Sequence, residues 1–317
     1  MDSEPRISDI QQNEEKADEK LFHYNIAKYS GLVMVFFDRQ DDKKAGDAIL
    51  IRSSEGKIML INGGRTTARP TVYSYLKSMG IRSVDYLVAM HLHIDHVGGF
   101  PEIIEEMKIG EVFMPNVPID AEAALNFLTA LHTHRIVPKI LRDGDSFAFG
   151  EDCMTEVLNP LKEEVPASMV SLEEVGGRWV NNLSLVLKLT YGKVSMLITG
   201  DITEEKEIDL EKLHSSRLHA DILKIPHHGA KTSSSELFLH TVSPDISVIP
   251  SDRIYDEPTY NRIKAMTHGE VFMPGLDGNI LIATDGVRIS VVTEKEHCFK
   301  SAKQQTSEIG WGNKCII

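Results

Sequence analysis

Short apolar runs separated by turn residues dominate the first third of the chain. Three of these runs have strand length and are predicted to form consecutive β-strands, at residues 32–37, 48–52 and 57–61. Residues 70–79 are predicted to form a helix, because Pro70 suits a first helical turn. The apolar run at residues 86–90 follows and is predicted to be a short buried strand.

The middle of the chain mixes helical and extended patterns. Residues 101–107 and 121–134 are predicted to be helices, and the second of these is amphipathic. Short strands are predicted at residues 139–142, 146–149 and 154–158. Residues 162–178 show no clear periodicity, which predicts a surface loop that either flanks a substrate or only connects two elements.

The second half of the chain returns to alternating strands and helices. A hairpin is predicted from residues 183–190 and 194–199 around Tyr191-Gly192. Helices are predicted at residues 204–213, 235–241 and 258–266. A strand is predicted at residues 221–225, and strands that would close a second sheet are predicted at residues 246–250, 279–282 and 287–292. This alternation favours an α/β fold.

The two halves of the chain carry similar segments at a constant offset of 136 residues. Residues 56–61 resemble residues 192–197, and Asp85-x-Leu87-x-x-x-His91 resembles Asp221-x-Leu223-x-x-x-His227. We therefore expect two similar halves that face each other about a pseudo-symmetric centre, each with a strand that ends in a metal-binding histidine. The alternative is chance similarity between apolar strands.

A dense set of metal-binding residue types follows the apolar run at residues 86–90. The sequence there reads His91-Leu92-His93-Ile94-Asp95-His96-Val97-Gly98-Gly99. Three imidazoles and a carboxylate within six residues at a strand end predict a metal site rather than surface histidines. His91 and His93 are expected to converge on one ion, and Asp95 and His96 on a second. This donor set suits zinc, iron or manganese better than calcium or copper(I).

Two later strand ends offer the remaining ligands. Residues 194–199 lead into Gly200-Asp201, and residues 221–225 lead into Pro226-His227-His228-Gly229. In layered α/β folds, functional groups from distant segments meet at such strand ends. Gly-Asp alone is a common turn, but with the first cluster it completes a set of ligands for two metals. The predicted ligands are His91, His93, Asp95, His96, Asp201 and His227, with Asp201 bridging.

Together these motifs resemble the metallo-β-lactamase superfamily. More narrowly, residues 181–187, 197–201 and 223–229 resemble the branch typified by the hydrolase domain of ComEC/Rec2-type DNA-uptake proteins, near the bacterial phosphorylcholine esterases. The similarity runs from about residue 32 to about residue 292. It implies an α/β fold of four layers, an αββα sandwich, with a dinuclear site at one edge. The implied cofactors are two divalent ions, zinc or manganese, with iron as a further option.

The resemblance also implies roles for individual residues. Asp95 and Asp201 are expected to be catalytic carboxylates, and His228 is expected to contact the substrate phosphate. Further substrate contacts are expected from Asn181, Ser184, Ser233 and Ser234. The motif of Asn181 and Ser184 replaces a third histidine of the lactamases, which leaves the first metal with an open position. Alternatively, the three serines at residues 233–235 form an ordinary helix cap.

Two positions depart from the family pattern. Asn62 stands where family members carry an aspartate that supports the metal-binding histidines. Asparagine can hydrogen-bond without bringing a charge, so Asn62 is expected to lower the affinity for metal. Residues 255–258 read Tyr-Asp-Glu-Pro where the family has Tyr-x-His-Pro, so no family substrate contact is assigned there. His132 and His134, on the predicted helix at residues 121–134, are expected to be surface residues.

Composition bounds the organisation and the location of the chain. The 317 residues, 42% of them apolar, predict one hydrolase domain over residues 26–296, with a polar N-terminal extension at residues 1–25 and a C-terminal tail at residues 297–317. No apolar stretch has the length of a signal peptide or a membrane helix. The three cysteines are widely spaced, as expected for reduced thiols. We expect a cytoplasmic protein without a membrane partner.

The predicted function is a dinuclear metal-dependent hydrolase of the phosphodiesterase or nuclease type, which uses a metal-bridged hydroxide. Its expected substrate is a nucleic acid, a nucleotide or a phosphorylated small molecule. The net charge of −13 argues against a general electrostatic grip on nucleic acid, so a polynucleotide would bind locally. One alternative is a carbonyl hydrolase, such as a lactonase, β-lactamase or thioesterase-like enzyme, because the fold alone does not choose the reaction. Another is a non-catalytic regulatory protein with a weakened metal site, for which Asn62 is the argument.

Overall fold

Short strands and helices alternate along most of the chain in this computed structural model, which describes residues 25–39, 46–161, 164, 168–295 and the backbone of 315–316. The strands are β1 (Leu32–Phe36), β2 (Ile49–Arg52), β3 (Ile58–Ile61), β4 (Ser83–Val88), β5 (Lys108–Met114), β6 (Lys139–Ile140), β7 (Ser146–Ala148), β8 (Cys153–Asn159), β9 (Val186–Tyr191), β10 (Val194–Ile198), β11 (Ile222–Lys224), β12 (Ile246–Val248), β13 (Glu270–Phe272), β14 (Ile280–Thr284), β15 (Ile289–Thr293) and β16 (Cys315–Ile316). The α-helices are α1 (Val72–Ser78), α2 (Ile94–Val97), α3 (Phe100–Glu106), α4 (Glu122–Thr133), α5 (Leu172–Asn182), α6 (Glu204–Leu218), α7 (Glu236–Val242), α8 (Glu257–Met266) and α9 (Pro274–Asp277).

The strands form two mixed sheets. The first has the order β16-β15-β14-β1-β2-β3-β4-β5-β6, and the second has the order β13-β12-β11-β10-β9-β8-β7. Strands β3 to β6 run parallel in the first sheet, and β10 to β13 run parallel in the second. Parallel neighbours need crossover connections, and helices supply most of them. The carboxyl ends of β3, β4, β10 and β11 all lead into the site described below.

Three layers of apolar side chains hold the fold together. The middle layer lies between the sheets and includes Met34, Met59, Leu187 and Ile198. An outer layer packs α1, α3 and α4 on the first sheet, and the other packs α6, α7 and α8 on the second. Central strands such as β1 and β3 are buried along their whole length, which explains their continuous apolar runs. The result is the four-layer αββα sandwich that was expected.

Several predicted elements differ from the structure. Strands β14 and β15 were expected to close the second sheet, but β14 pairs with β1 in the first sheet, with Leu32 opposite Thr284. Local sequence carries no information on such a long-range pairing. Strand β5 was not predicted, since its first half is largely exposed and polar. Strand β13 was also not predicted. The predicted loop at residues 162–178 ends in helix α5, whose Gly176 has non-helical backbone angles that obscure the helical pattern.

The proposed similarity of the two halves has a structural counterpart. In the first sheet β3 and β4 are parallel, and the Asp85 carboxylate accepts a hydrogen bond from the Ile58 backbone N–H at 2.8 Å. In the second sheet β10 and β11 are parallel, and Asp221 accepts from the Ser195 N–H at 2.7 Å. The same side-chain contact thus fixes the start of the ligand-bearing strand in each half.

Both predicted termini lie almost entirely outside the described residues, which begin at Asn25 and end, apart from β16, at Lys295. Within the described part, none of the helices combines the length and the apolar character that a membrane crossing requires.

Candidate metal centre

The histidine-rich segment begins at His91, three residues after the end of β4, and turns into the short helix α2. His91 is fully buried, His93 lies just before α2, and Asp95 and His96 lie on it. Two glycines keep this turn close to neighbouring backbone. A Cβ atom at Gly99 would lie 2.1 Å from the Gly63 carbonyl oxygen, and one at Gly46 would lie 2.0 Å from the Asp95 carbonyl oxygen. The tight packing fixes where the imidazoles and the carboxylate point.

Four side chains from the two halves of the chain form a buried group, which we call the four-ligand cluster: Asp95, His96, Asp201 and His228. Each offers one ligand atom, and these atoms all lie within 4.8 Å of one another. The Asp201 carboxylate is central, because its Oδ2 is 3.2 Å from both His96 Nε2 and His228 Nε2. Asp95 Oδ2 lies 3.6 Å from His228 Nε2. The cluster can hold a divalent cation.

The structure exchanges the predicted positions of His227 and His228. His227 was predicted to be the ligand, but its Nδ1 lies 2.8 Å from Thr232 Oγ1 and its Nε2 lies 3.4 Å from Asn181 Nδ2. His228 instead is buried and points into the cluster. Both residues have positive φ angles, 50° and 55°, and this left-handed turn directs the second imidazole inward. Sequence alone does not reveal this reversal, since either neighbour of a strand end can face inward.

His91 and His93 form a second pair beside the four-ligand cluster. His91 Nε2 is 3.1 Å from His93 Nδ1, and the His91 ring lies 3.9 Å from the His96 ring, centroid to centroid. Burial holds the pKa of His91 well below its usual value, and the nearby His96 adds to this effect. A neutral imidazole is the form that binds metal. The pair lies beside His96 and could hold a second ion.

The donor atoms are of the types that bind metal ions. His96 Nε2, His228 Nε2 and His91 Nδ1 are buried and make no hydrogen bond in the described structure. His228 Nδ1 lies 2.7 Å from the Pro250 carbonyl oxygen, so Nδ1 carries the proton and Nε2 presents a lone pair to the cluster. Buried polar atoms of this kind are uncommon unless a ligand completes them. Nitrogen and carboxylate donors match zinc, manganese or iron.

A buried ion pair below the cluster was missed by the sequence analysis. Lys224 Nζ lies 2.7 Å from Asp47 Oδ2 and donates to the Gly200 carbonyl oxygen at 2.7 Å. The same amine is 3.6 Å from Asp201 Oδ1. Both partners of the ion pair are almost completely buried. The sequence does indicate both residues, because Asp47 is a charged residue just before the apolar strand β2 and Lys224 is a charged residue within β11.

The Asp47–Lys224 pair links the two halves of the site. The Asp47 backbone N–H donates to the Asp95 carbonyl oxygen at 3.1 Å, which ties the pair to the first ligand segment. The Lys224 amine reaches Asp201 in the second segment. Asp47 and Lys224 therefore contact both segments that carry the carboxylates of the four-ligand cluster.

Three of the residues predicted to contact the substrate are buried and form hydrogen bonds within the protein. Ser184 Oγ accepts a hydrogen bond from the Asp201 N–H at 3.1 Å, so it positions a ligand. Ser233 Oγ donates to the Pro226 carbonyl oxygen at 3.2 Å. Ser234 has no exposed surface, and its backbone N–H donates to Glu207. The next serine, Ser235, caps α7 by accepting from the Phe238 N–H, as the alternative interpretation of the serines held.

Asn181 and His227 lie beside the cluster, on the side of α5. Their side chains are 3.4 Å apart, and His227 is partly exposed. Helix α5 also brings Gly177 over His93, where an added Cβ would lie 3.5 Å from the His93 ring. The end of the predicted loop at residues 162–178, which lies in α5, therefore borders the site. His132 and His134, by contrast, lie at the exposed end of α4, as expected.

Sequence comparison relates this chain to known proteins. The family model of the metallo-beta-lactamase superfamily matches residues 41–115. Competence protein ComA of Neisseria gonorrhoeae is 28% identical over 233 residues, which are 72% of this chain and 29% of ComA. ComE operon protein 3 of Bacillus subtilis is 27% identical over 179 residues, which are 56% of this chain and 21% of that protein. The chain thus spans less than a third of the length of these curated relatives.

A solved structure of a hydroxylase shares the fold. The diiron β-hydroxylase CmlA of Streptomyces venezuelae has a TM-score of 0.50 at 13% identity, over 80% of this chain and 54% of CmlA. At this identity the likeness concerns the fold alone, and the reaction depends on the residues of the site.

Proposed function

We propose that this chain, which belongs to the metallo-β-lactamase superfamily and its ComEC-like branch, is a metal-dependent phosphodiesterase. The observation that carries the proposal is the four-ligand cluster, in which two carboxylates and two imidazoles from both halves of the chain are buried within 4.8 Å of one another. Burial of two carboxylates is costly unless positive charge accompanies them. One lysine touches this group, so a divalent cation is the fitting partner for the remaining charge.

Two divalent ions at this centre would activate water near neutral pH and neutralise charge on the attacked group and the leaving oxygen. The protein residues provide the positions. Asp201 lies between the histidines of the cluster, and Ser184 and Lys224 hold its backbone and side chain. His228 is oriented by the Pro250 carbonyl oxygen. These contacts preorganise the ligand atoms before a substrate arrives.

Groups at the side of the cluster suit a phosphodiester. Asn181 Nδ2 donates to His227 Nε2, and its second N–H can donate a hydrogen bond to a phosphate oxygen. The relatives ComA and Recombination protein 2 of Haemophilus influenzae are named for competence and recombination. Recombination rearranges nucleic acid, whose linkages are phosphodiesters. The net charge of −13 favours a substrate that binds locally at the metals over one gripped along a broad basic surface.

Hydrolysis of a panel of model substrates tests the proposed reaction. With added Mn²⁺ or Zn²⁺, the protein is expected to hydrolyse bis-p-nitrophenyl phosphate or single-stranded DNA or RNA, and EDTA is expected to abolish the activity. Nitrocefin and a lactone serve as carbonyl substrates in the same assay. Turnover of a carbonyl substrate alone would replace phosphodiester chemistry with the carbonyl alternative, and no turnover of any substrate would favour a regulatory protein.

Separate roles for the two neighbouring histidines form a further prediction. His228→Ala is expected to lose one bound ion per chain, because it removes a nitrogen from the cluster. His227→Ala is expected to keep its metal and to lower kcat by roughly 10² to 10³, because the Asn181 amide, a preorganised donor, loses the imidazole that orients it. Elemental analysis and phosphodiesterase kinetics measure the two effects. Metal loss from the His227 variant, with retention by the His228 variant, would restore the original assignment.

A further inference from the structure

Asn62 supports His96 from a position directly after β3. It is completely buried, and its φ angle of 60° is a left-handed conformation that asparagine tolerates better than most residues. Two groups contact its amide. The Met90 backbone N–H donates to Oδ1 at 2.9 Å, and Nδ2 lies 2.9 Å from His96 Nδ1. Both contacts are buried, so water does not substitute for either one.

The chemistry of these contacts fixes the orientation of the amide. A backbone N–H can only donate, so the amide oxygen of Asn62 must face Met90. The amide nitrogen must then face His96, and an amide nitrogen can only donate as well. His96 Nδ1 therefore accepts this hydrogen bond. In a neutral imidazole with an accepting Nδ1, the proton resides on Nε2.

This proton is in the wrong place for metal binding. His96 Nε2 is the atom that points into the four-ligand cluster, 3.2 Å from Asp201 Oδ2. To bind an ion there, the ring must carry its proton on Nδ1 instead. Nδ1–H would then face the Asn62 amide nitrogen, or a turned amide would face the Met90 N–H. Either arrangement buries two donors against each other.

We propose that Asn62 is a positioning residue that stabilises the Nε2–H form of metal-free His96 and thereby weakens the four-ligand cluster as a metal site. This inference rests on the proposed function, in that the cluster is taken to bind an ion. An aspartate at position 62 would accept from both Met90 N–H and His96 Nδ1–H, which leaves the Nε2 lone pair for the metal. His228 already has this arrangement through the Pro250 carbonyl oxygen. With Asn62, the cluster therefore needs a higher metal concentration for occupancy than it would need with an aspartate at position 62.

Chelator-competition titration with Zn²⁺ tests the proposal on the full chain. Asn62→Asp is expected to tighten one binding step by roughly ten- to hundredfold, the usual scale for the outer partner of a metal-binding histidine. Aspartate also tolerates the left-handed backbone, so the fold is expected to persist. Asn116→Asp is the matched control, because Asn116 is exposed two residues after β5 and adds the same charge without touching His96. Its titration should superimpose on that of the wild type.

NMR of the histidine ring nitrogens in the metal-free protein provides a second readout. His96 is expected to be protonated on Nε2 in the wild type and on Nδ1 in Asn62→Asp. An unchanged zinc affinity in Asn62→Asp, or Nδ1 protonation in the metal-free wild type, would overturn the inference. If neither protein bound zinc, the proposed function would fail, and the ring protonation would still decide the role of Asn62.

Discussion

Asp201→Ala is expected to reduce phosphodiester hydrolysis to background while the protein stays folded. Asp201 Oδ2 is 3.2 Å from the ring nitrogens of both His96 and His228, so its removal takes away the carboxylate that joins the two halves of the site. Loss of only an outer partner of a metal ligand costs 10- to 100-fold in affinity or activity. Loss of a central ligand should therefore cost at least about 100-fold. The measurement is turnover of bis-p-nitrophenyl phosphate together with metal content.

Two matched variants sharpen this prediction. Asp201→Asn keeps the shape of the side chain and removes its charge, so it should lose activity almost as fully as the alanine variant. Asp209→Ala removes a half-exposed carboxylate from α6 and should behave as the wild type. Near-normal turnover in either Asp201 variant would show that this carboxylate is not a ligand. Unfolding of both Asp201 variants, detected by circular dichroism, would instead assign Asp201 a structural role.

Lys224→Met is expected to destabilise the fold by about 3–5 kcal/mol, the cost of breaking a buried ion pair from one side. The substitution removes the cation that lies 2.7 Å from Asp47 and leaves the Asp47 carboxylate buried without it. It also removes the donor to the Gly200 carbonyl oxygen. Urea unfolding measures the change in the free energy of unfolding. A loss below about 1 kcal/mol, as found for exposed ion pairs, would contradict this account of the pair.

The double variant Asp47→Asn with Lys224→Met separates the burial of charge from other effects. Because it removes both charges, it should recover most of the stability that Lys224→Met loses, as happens when buried ion pairs are replaced as a unit. A double variant as unstable as Lys224→Met would mean that the methionine side chain, rather than the unpaired carboxylate, disturbs the packing.

Local sequence patterns predicted most strands and helices, because buried central strands such as β1 and β3 are continuous apolar runs. The pairing of the strands was harder to predict from the sequence. Strand β14 lies about 250 residues from β1 along the chain, yet the two are neighbours. Helix α5 was missed because Gly176 interrupts it. Such features depend on tertiary packing, which no short window of sequence contains.

The sequence likewise predicted one part of the site and not the other. Spacing of His91, His93, Asp95 and His96 was enough to predict a metal centre in the first half. The choice between His227 and His228 was not, because it depends on two successive left-handed residues. The serines were equally ambiguous, since hydroxyls suit both substrate contacts and backbone caps. Ser184, Ser233 and Ser234 are buried, and their substrate role stays a prediction.

The number of divalent ions bound per chain tests the central claim most directly. Purified wild-type protein, loaded with excess Zn²⁺ or Mn²⁺ and passed through a desalting column, can be analysed for metal by mass spectrometry against protein concentration. The account predicts two ions per chain, one at the four-ligand cluster and one beside the His91–His93 pair. One ion per chain, or none, at saturating metal would contradict the dinuclear centre.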